Sequence, residues 1–290
     1  MSIGADTACL QCYLRKNIAT ARSLGDETTA TRFAKELMVI LSQLPAHQAT
    51  VAAAPQVAEL FHRYYGLDKD RYKEEKAQSN QFFLERESWF REMAAGAADP
   101  VLAGLQMAIL GNYLDFSALQ GQVSFEKLEE MCREALSIRL DTAALKKFKQ
   151  DLSRGRKLLY ITDNAGEIGF DKICAEKLQE AYPHLEITFC VRGGPALNDA
   201  TREDAKVVGV PFPVIDNGTC IPGTDLELIG SEAKAAIETA DVIIAKGMAN
   251  VETLHGCGLN VYYAFLIKCQ RFEELFGKPM LTAMLLPELK

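Results

Sequence analysis

Basic residues are outnumbered in this 290-residue chain, which has a formal net charge of −7 and a pI near 5.3. That balance argues against a nucleic-acid partner, which needs a clustered basic surface. It leaves room for a small phosphorylated metabolite bound at a local cationic site. No apolar run reaches the roughly 18 residues a membrane span requires. Met1-Ser2-Ile3-Gly4-Ala5-Asp6 has neither the basic start nor the apolar core of a signal peptide. No membrane partner is expected, and the expected compartment is the cytoplasm. The histidines, His47, His62, His184 and His255, form no ligand spacing. Also absent are the Gly-x-x-x-x-Gly-Lys-Ser/Thr phosphate loop, the Gly-x-Ser-x-Gly elbow and a Gly-x-Gly-x-x-Gly after the first strand. No Asp-x-Asp stands at a strand end, which counts against a phospho-aspartate intermediate and makes water the expected nucleophile. Eight scattered cysteines suit reduced thiols better than a disulfide framework.

A composition of 48% hydrophobic and 24% charged residues suits globular material with room for about two domains. There is no internal repeat and no low-complexity linker. From Ala8 to about Gln150 the period is helical: Phe33, Leu37, Ile40, Leu41 and Leu44 lie on one helix face ended by Pro45, and Val57, Leu60, Phe61 and Tyr64 make a shorter one before Gly66. The charged stretch from Asp70 to Arg91 reads as a longer helix, and Asp99-Pro100 starts another through Leu110. Ser124 and Asp141 are expected N-caps, the second helix closing at Gly155. Beyond Arg156, strands are expected at Leu158 to Thr162, Glu186 to Val191, Phe212 to Ile215, Asp241 to Ala245 and Val261 to Ile267. Helices between them are expected at Glu167, Ala200, Ser231 and Asn250. This alternation implies a mainly parallel sheet with helices on both faces. The expected organisation is a helical domain over residues 1–155 and an α/β domain over 156–290.

Asp163 and Asn164 follow the first strand, and Asp199 lies beyond the second, at the edge where open α/β sheets gather ligands. Two carboxylates and an amide oxygen suit octahedral Mg²⁺ or Mn²⁺ and leave positions for water and a phosphate oxygen. Asp and Asn also favour turns and N-caps, so on spacing alone both readings stand. Lys246, at the end of Val242-Ile243-Ile244-Ala245 and beside Gly247, is expected to emerge at the same edge and neutralise a phosphoryl group, unless it is a solvated strand-end lysine. In Arg192-Gly193-Gly194 the glycines could let backbone N–H groups converge on an anion while Arg192 supplies a fork of donors; a plain loop explains them as well. Glu167 could orient a metal-bound water or contact substrate, or be acidic for dipole reasons. The turn-rich segment from Asp216 to Thr224 reads as a substrate loop. Cys9-x-x-Cys12 could be half a zinc site, a redox pair or two structural side chains, the last being the expectation because no second Cys-x-x-Cys completes a site.

Asp163-Asn164-Ala165-Gly166-Glu167 with Phe170-Asp171 resembles the signature of the damage-control phosphatase family. Gly111-Asn112-Tyr113-Leu114-Asp115-Phe116, Arg192-Gly193-Gly194-Pro195, Asn198-Asp199-Ala200-Thr201 and Ala245-Lys246-Gly247 agree in the same order. Cys9-x-x-Cys12 is similar to the start of the prokaryotic branch, and Cys269 resembles another family position. The resemblance implies a Rossmann-like α/β/α sandwich with a helical amino-terminal part. It implies Asp163, Asn164 and Asp199 as metal ligands, phosphate binding by Lys246, and functional positions at Asn112 and Asp115. The expected activity is hydrolysis of a small phosphorylated metabolite, a sugar phosphate or a damaged phosphorylated cofactor precursor. The expected cofactor is a divalent metal, Mn, Mg, Co or Ni, with Glu167 or Asp115 as the open choices for a base. The alternative is a non-catalytic metal- or nucleotide-binding module on the same sheet.

Overall fold

The computed structural model describes residues 6–115 and 124–288. Phe116, the last residue of the Gly111–Phe116 motif, and the first five residues lie outside them. Seven helices come first among the described residues: α1 (Thr7–Leu24), α2 (Glu27–Ser42), α3 (Ala54–Tyr65), α4 (Lys73–Gly96), α5 (Pro100–Gly111), α6 (Phe125–Arg133) and α7 (Thr142–Arg154). The expected caps form: Ser124 and Asp141 accept from the N–H groups of Lys127 and Ala144, satisfying donors that a helix start leaves unpaired. Then follow β1 (Lys157–Ile161), α8 (Glu167–Ala181), β2 (Glu186–Val191), α9 (Arg202–Val207), β3 (Val214–Asp216), α10 (Ser231–Thr239), β4 (Val242–Lys246), α11 (Gly247–Leu254), β5 (Val261–Leu266), α12 (Gln270–Phe276) and β6 (Ala283–Pro287).

The strands form one sheet in the order β3-β2-β1-β4-β5-β6, parallel except for β6, which runs antiparallel to β5. The chain leaves β1 toward β2 and later returns to β1's other side as β4. The order therefore reverses between β1 and β4, the place where such sheets open a crevice at their carboxyl ends. β4 and β5 are buried throughout and β1 beyond Lys157, as strands covered on both faces must be.

Alternate residues divide the core in two. Leu158, Tyr160, Val242, Ile244, Tyr262 and Ala264 face a cluster built from α4, α5, α7 and α8. Leu159, Ile161, Ile243, Ala245, Tyr263 and Phe265 face one built from α10, α11 and α12. The result is three layers, helices on a sheet on helices. α4–α7 share their core with the sheet, and α1–α3 hold a separate cluster around Phe33, Leu37 and Phe61. α5 and α8 approach closely, because a Cβ at Gly104 would lie 3.1 Å from the Cα of Cys174 and one at Gly111 2.9 Å from the ring of Phe170; α8 also meets α4, where a Cβ at Gly169 would overlap the ring of Phe83.

Two elements were not anticipated, α12 and β6; the observed β3 starts two residues later than expected because Pro211 and Pro213 cannot donate to a ladder.

Candidate active site

The crevice between β1 and β4 is lined by charge that water cannot reach. Asp163, Asn164, Glu167, Arg192, Asn198, Asp199 and Lys246 are each 4% exposed or less. The turn after β1 and the turn before α9 are laced together: Asn164 and Asp199 form an isolated antiparallel bridge, and the N–H of Ala200 donates to the carbonyl of Asp163 (2.7 Å). The adjacency of β1 and β2 thus brings the three expected ligands together. Asp163 Oδ2 accepts from the amides of Asn112 (2.9 Å) and Asn164 (2.8 Å), and Asp199 Oδ2 accepts from Arg192 Nε (2.6 Å), which leaves Oδ1 of each carboxylate for a ligand. Burial, reinforced by the charges of Asp199 and Glu167, raises the Asp163 carboxyl well above its usual range. Burial likewise lifts Asp199 to about 6, against the pull of Arg192.

Arg192 does not stand open as an anion fork. Its guanidinium is fully buried, 3.9 Å from Asp163, and also donates to the carbonyl of Thr162 (3.2 Å) and the hydroxyl of Thr224 (3.3 Å). The glycines after it are accounted for by packing: a Cβ on Gly193 would lie 2.6 Å from the backbone of Gly218, and one on Gly194 2.7 Å from Cys220 Sγ. The N–H of Gly193 already donates to the Thr219 carbonyl (2.9 Å), so the expected anion nest there has lost that donor. The 216–224 segment is the strand-end loop packed on these glycines.

Lys246 differs most from its sequence reading. It alternates with Val242 and Ile244, so its side chain runs to the α5/α8 face and not out of the sheet edge. All three N–H groups of the ammonium are taken, by Glu167 (2.6 Å), Asp171 (2.7 Å) and the carbonyl of Ala108 (2.8 Å). Burial disfavours its charge, yet Asp171 and Glu167 together hold the ammonium above the usual lysine range. Burial raises Asp171 to about 7 in spite of this partner. Glu167 in turn accepts from the amides of Asn112 and Asn164.

Asn112 and Asp115 follow α5 and reach the crevice from the helical side, Asn112 Oδ1 accepting from the N–H of Leu266 (3.1 Å). Four residues with no sequence signal of their own complete the arrangement. Lys268, just past β5 and 4% exposed, donates to Asp115 (2.6 Å) and the carbonyl of Asn112 (2.8 Å). Asn80 on α4 accepts from the N–H of Gly166 (2.7 Å) and donates to Asp204 (2.9 Å), which also holds Lys76 (2.9 Å) and the capping-box hydroxyl of Thr201 (2.8 Å). Through that hub α4 fixes both ligand-bearing turns. The cysteines are all free thiols; Cys9 and Cys12 lie on α1, and burial pushes the Cys9 thiol up to about 12.

With this geometry in place, comparison with known proteins is decisive. A family model described as the damage-control phosphatase ARMT1-like domain matches residues 5–283. The chain belongs to the damage-control phosphatase family. Among its relatives are the damage-control phosphatase PH1575 of Pyrococcus horikoshii, 34% identical over 90% of each chain, and a damage-control phosphatase of Archaeoglobus fulgidus, 30% identical over 93% of this chain and 94% of that one. A crystal structure of a DUF89 family protein from Pyrococcus horikoshii superposes with a TM-score of 0.77 at 28% identity, covering 98% of this chain and 99% of that one. No helix among the described residues is long and apolar enough to cross a membrane.

In this damage-control phosphatase family member, Gly247 has φ +76 and a Cβ there would overlap the Asp163 carboxylate. Gly247→Ala is expected to displace Asp163 and lower phosphate release at least about a hundredfold, since small misplacements of reacting groups have that effect. Wild-type kinetics in a folded Gly247→Ala protein would mean that Asp163 is free to move without consequence.

Proposed function

We propose that this protein is a metal-dependent phosphatase of small phosphorylated metabolites, such as sugar phosphates or damaged phosphorylated cofactor precursors. The observation that carries the metal is charge. Among the described residues, Asp115, Asp163, Glu167, Asp171 and Asp199 are gathered with Lys246, Lys268 and Arg192, an excess of two negative charges among these groups that matches one divalent cation. Among the described residues no three His, Cys, Asp or Glu side chains form a ligating group by themselves, so the fit depends on Asn164 adding its amide oxygen to Asp163 and Asp199. Hard oxygen donors of this kind suit Mg²⁺, Mn²⁺, Co²⁺ or Ni²⁺. When bound, the metal supplies Lewis-acid polarisation of the phosphoryl group and a water of lowered pKa.

The chain's own residues do the rest. With two N–H groups engaged by described residues, the Asn112 carbonyl and Asp115, Lys268 has a third to offer a phosphoryl oxygen, a role that the fully engaged Lys246 lacks in this arrangement. Lys246 instead anchors Glu167, and Glu167 holds the amides of Asn112 and Asn164 against Asp163. Asp115, 14% exposed at its side chain, is better placed than the enclosed Glu167 to take a proton from an attacking water. Such a base is asked for little in a loose phosphoryl-transfer transition state.

The test is a phosphate-release screen over sugar phosphates and phosphorylated cofactor precursors with each of the four metals. Metal binding without release of phosphate from any ester would make the protein a binding module. Protonation supplies a further check. Asp163 and Asp199 must be ionised to hold a cation, and both are raised, so binding releases protons. Mn²⁺ affinity is therefore expected to rise at least tenfold between about pH 5.5 and about pH 7.5; a flat profile in calorimetric titration would remove these carboxylates from the ligand set.

A further inference from the structure

The hydrogen-bond senses around Asn198 have a single consistent solution. The carbonyl of Leu114 can only accept, so the group of Asn198 that faces it at 3.0 Å is Nδ2. The same Nδ2 lies 2.8 Å from the amide of Asn164, which therefore presents Oδ1. Asn164 in turn directs Nδ2 at Asp163 (2.8 Å) and Glu167 (2.7 Å), carboxylates that must accept. Reversing Asn198 would set its oxygen against those of Leu114 and Asn164, and reversing Asn164 would set its oxygen against the carboxylates of Asp163 and Glu167 and its nitrogen against that of Asn198. One lone pair of Asn164 Oδ1 is used by Asn198, and the other remains for a cation.

The chain of senses fixes one more atom. With Nδ2 committed, Asn198 turns Oδ1 to a position where no hydrogen bond from the described residues reaches it, although the residue is only 2% exposed. A buried acceptor without a donor is unfavourable, and this one belongs to the residue that directly precedes Asp199 and touches Asn164. We infer that Asn198 Oδ1 is the acceptor for a water bound at the divalent-metal site, one O–H of that water donating to it. This makes Asn198 a positioning residue twice over, for the amide of Asn164 and for the water; the inference rests on the metal reading given above.

The experiment is a structure of the wild-type protein loaded with Mn²⁺ alone, together with Mn²⁺ titrations of wild type, Asn198→Asp and Asn198→Ala. The expected structure has a metal-bound oxygen within about 3.2 Å of Asn198 Oδ1. The alanine variant, folded by circular dichroism, is expected to bind Mn²⁺ at least tenfold more weakly and to show a smaller Mn²⁺-induced rise in melting temperature. Asn198→Asp keeps an acceptor but loses both donors, and is expected to weaken binding as well, because its carboxylate meets Leu114 and Asn164 oxygens. Failure of the wild type to bind Mn²⁺ would sink the metal reading itself. A Mn²⁺-loaded protein in which Oδ1 stays without a donor, or an alanine variant with wild-type Mn²⁺ affinity, would overturn the role of Asn198 alone.

Discussion

Asp163→Ala is expected to abolish Mn²⁺ binding and to reduce phosphate release by at least about a thousandfold, or about 4 kcal/mol of transition-state stabilisation. The fold should survive. The amides of Asn112 and Asn164 that Asp163 accepts keep Glu167 as an acceptor, and the carboxylate removed is one that burial and two neighbouring acids already disfavour. The metal-free variant should therefore melt no lower than wild type. Asp199→Ala is expected to lose metal in the same way but not to share that stability, because it strands the buried guanidinium of Arg192. Breaking such a pair typically costs about 3–5 kcal/mol. Calorimetric titration showing wild-type Mn²⁺ affinity in either variant would end the ligand assignment.

Lys246→Met is expected to act first on stability, also by about 3–5 kcal/mol, since it leaves Glu167 and Asp171 enclosed without their cation. For a chain of this size that lowers the melting temperature by roughly 10 °C. The sign of its pH dependence follows from the same loss. Without the ammonium, Asp171 titrates in the folded protein still further above its unfolded value, so the folded state gains most below about pH 4 and loses that advantage as pH rises. Asp171, already lifted to about 7 in the presence of Lys246, sets the direction. The variant's melting temperature should fall more steeply than the wild type's between about pH 5 and about pH 8. A variant as stable as wild type at the higher pH would show that the ammonium does not neutralise this pair.

Much of this was legible in the residues. β2 was expected over the residues where it occurs, and the other parallel strands of the sheet's centre fall within a residue or two of their apolar runs, because doubly covered strands read as continuous hydrophobic segments. The Asp163, Asn164 and Asp199 grouping followed from strand adjacency. Lys246 was readable too: its even register with Val242 and Ile244 consigns it to the helix-covered face, and only its strand-end position suggested otherwise. Asn80 was not readable, since its partners Gly166 and Asp204 lie 86 and 124 residues away and nothing local distinguishes it from any helical asparagine. Lys268 shares that condition, whereas Asn198 was marked by the Asn198-Asp199-Ala200-Thr201 motif without any sign of what its amide holds. α12 and β6 escaped notice because a seven-residue helix and a five-residue edge strand carry too few periods to stand out.

The hub of Asn80, Lys76 and Asp204, with the close seat of α5 on α8, bears on kinetics. A hinged cover must part from what it covers once per turnover. Here parting would expose an ion pair whose side chains are 8% and 6% accessible and tear open a core shared by α4, α5 and the sheet. Such an opening approaches global unfolding in free energy. The α4–α5 wall therefore resists any motion that would separate it from the sheet, and it holds the turns bearing Asp163 and Asp199 in place through the catalytic cycle.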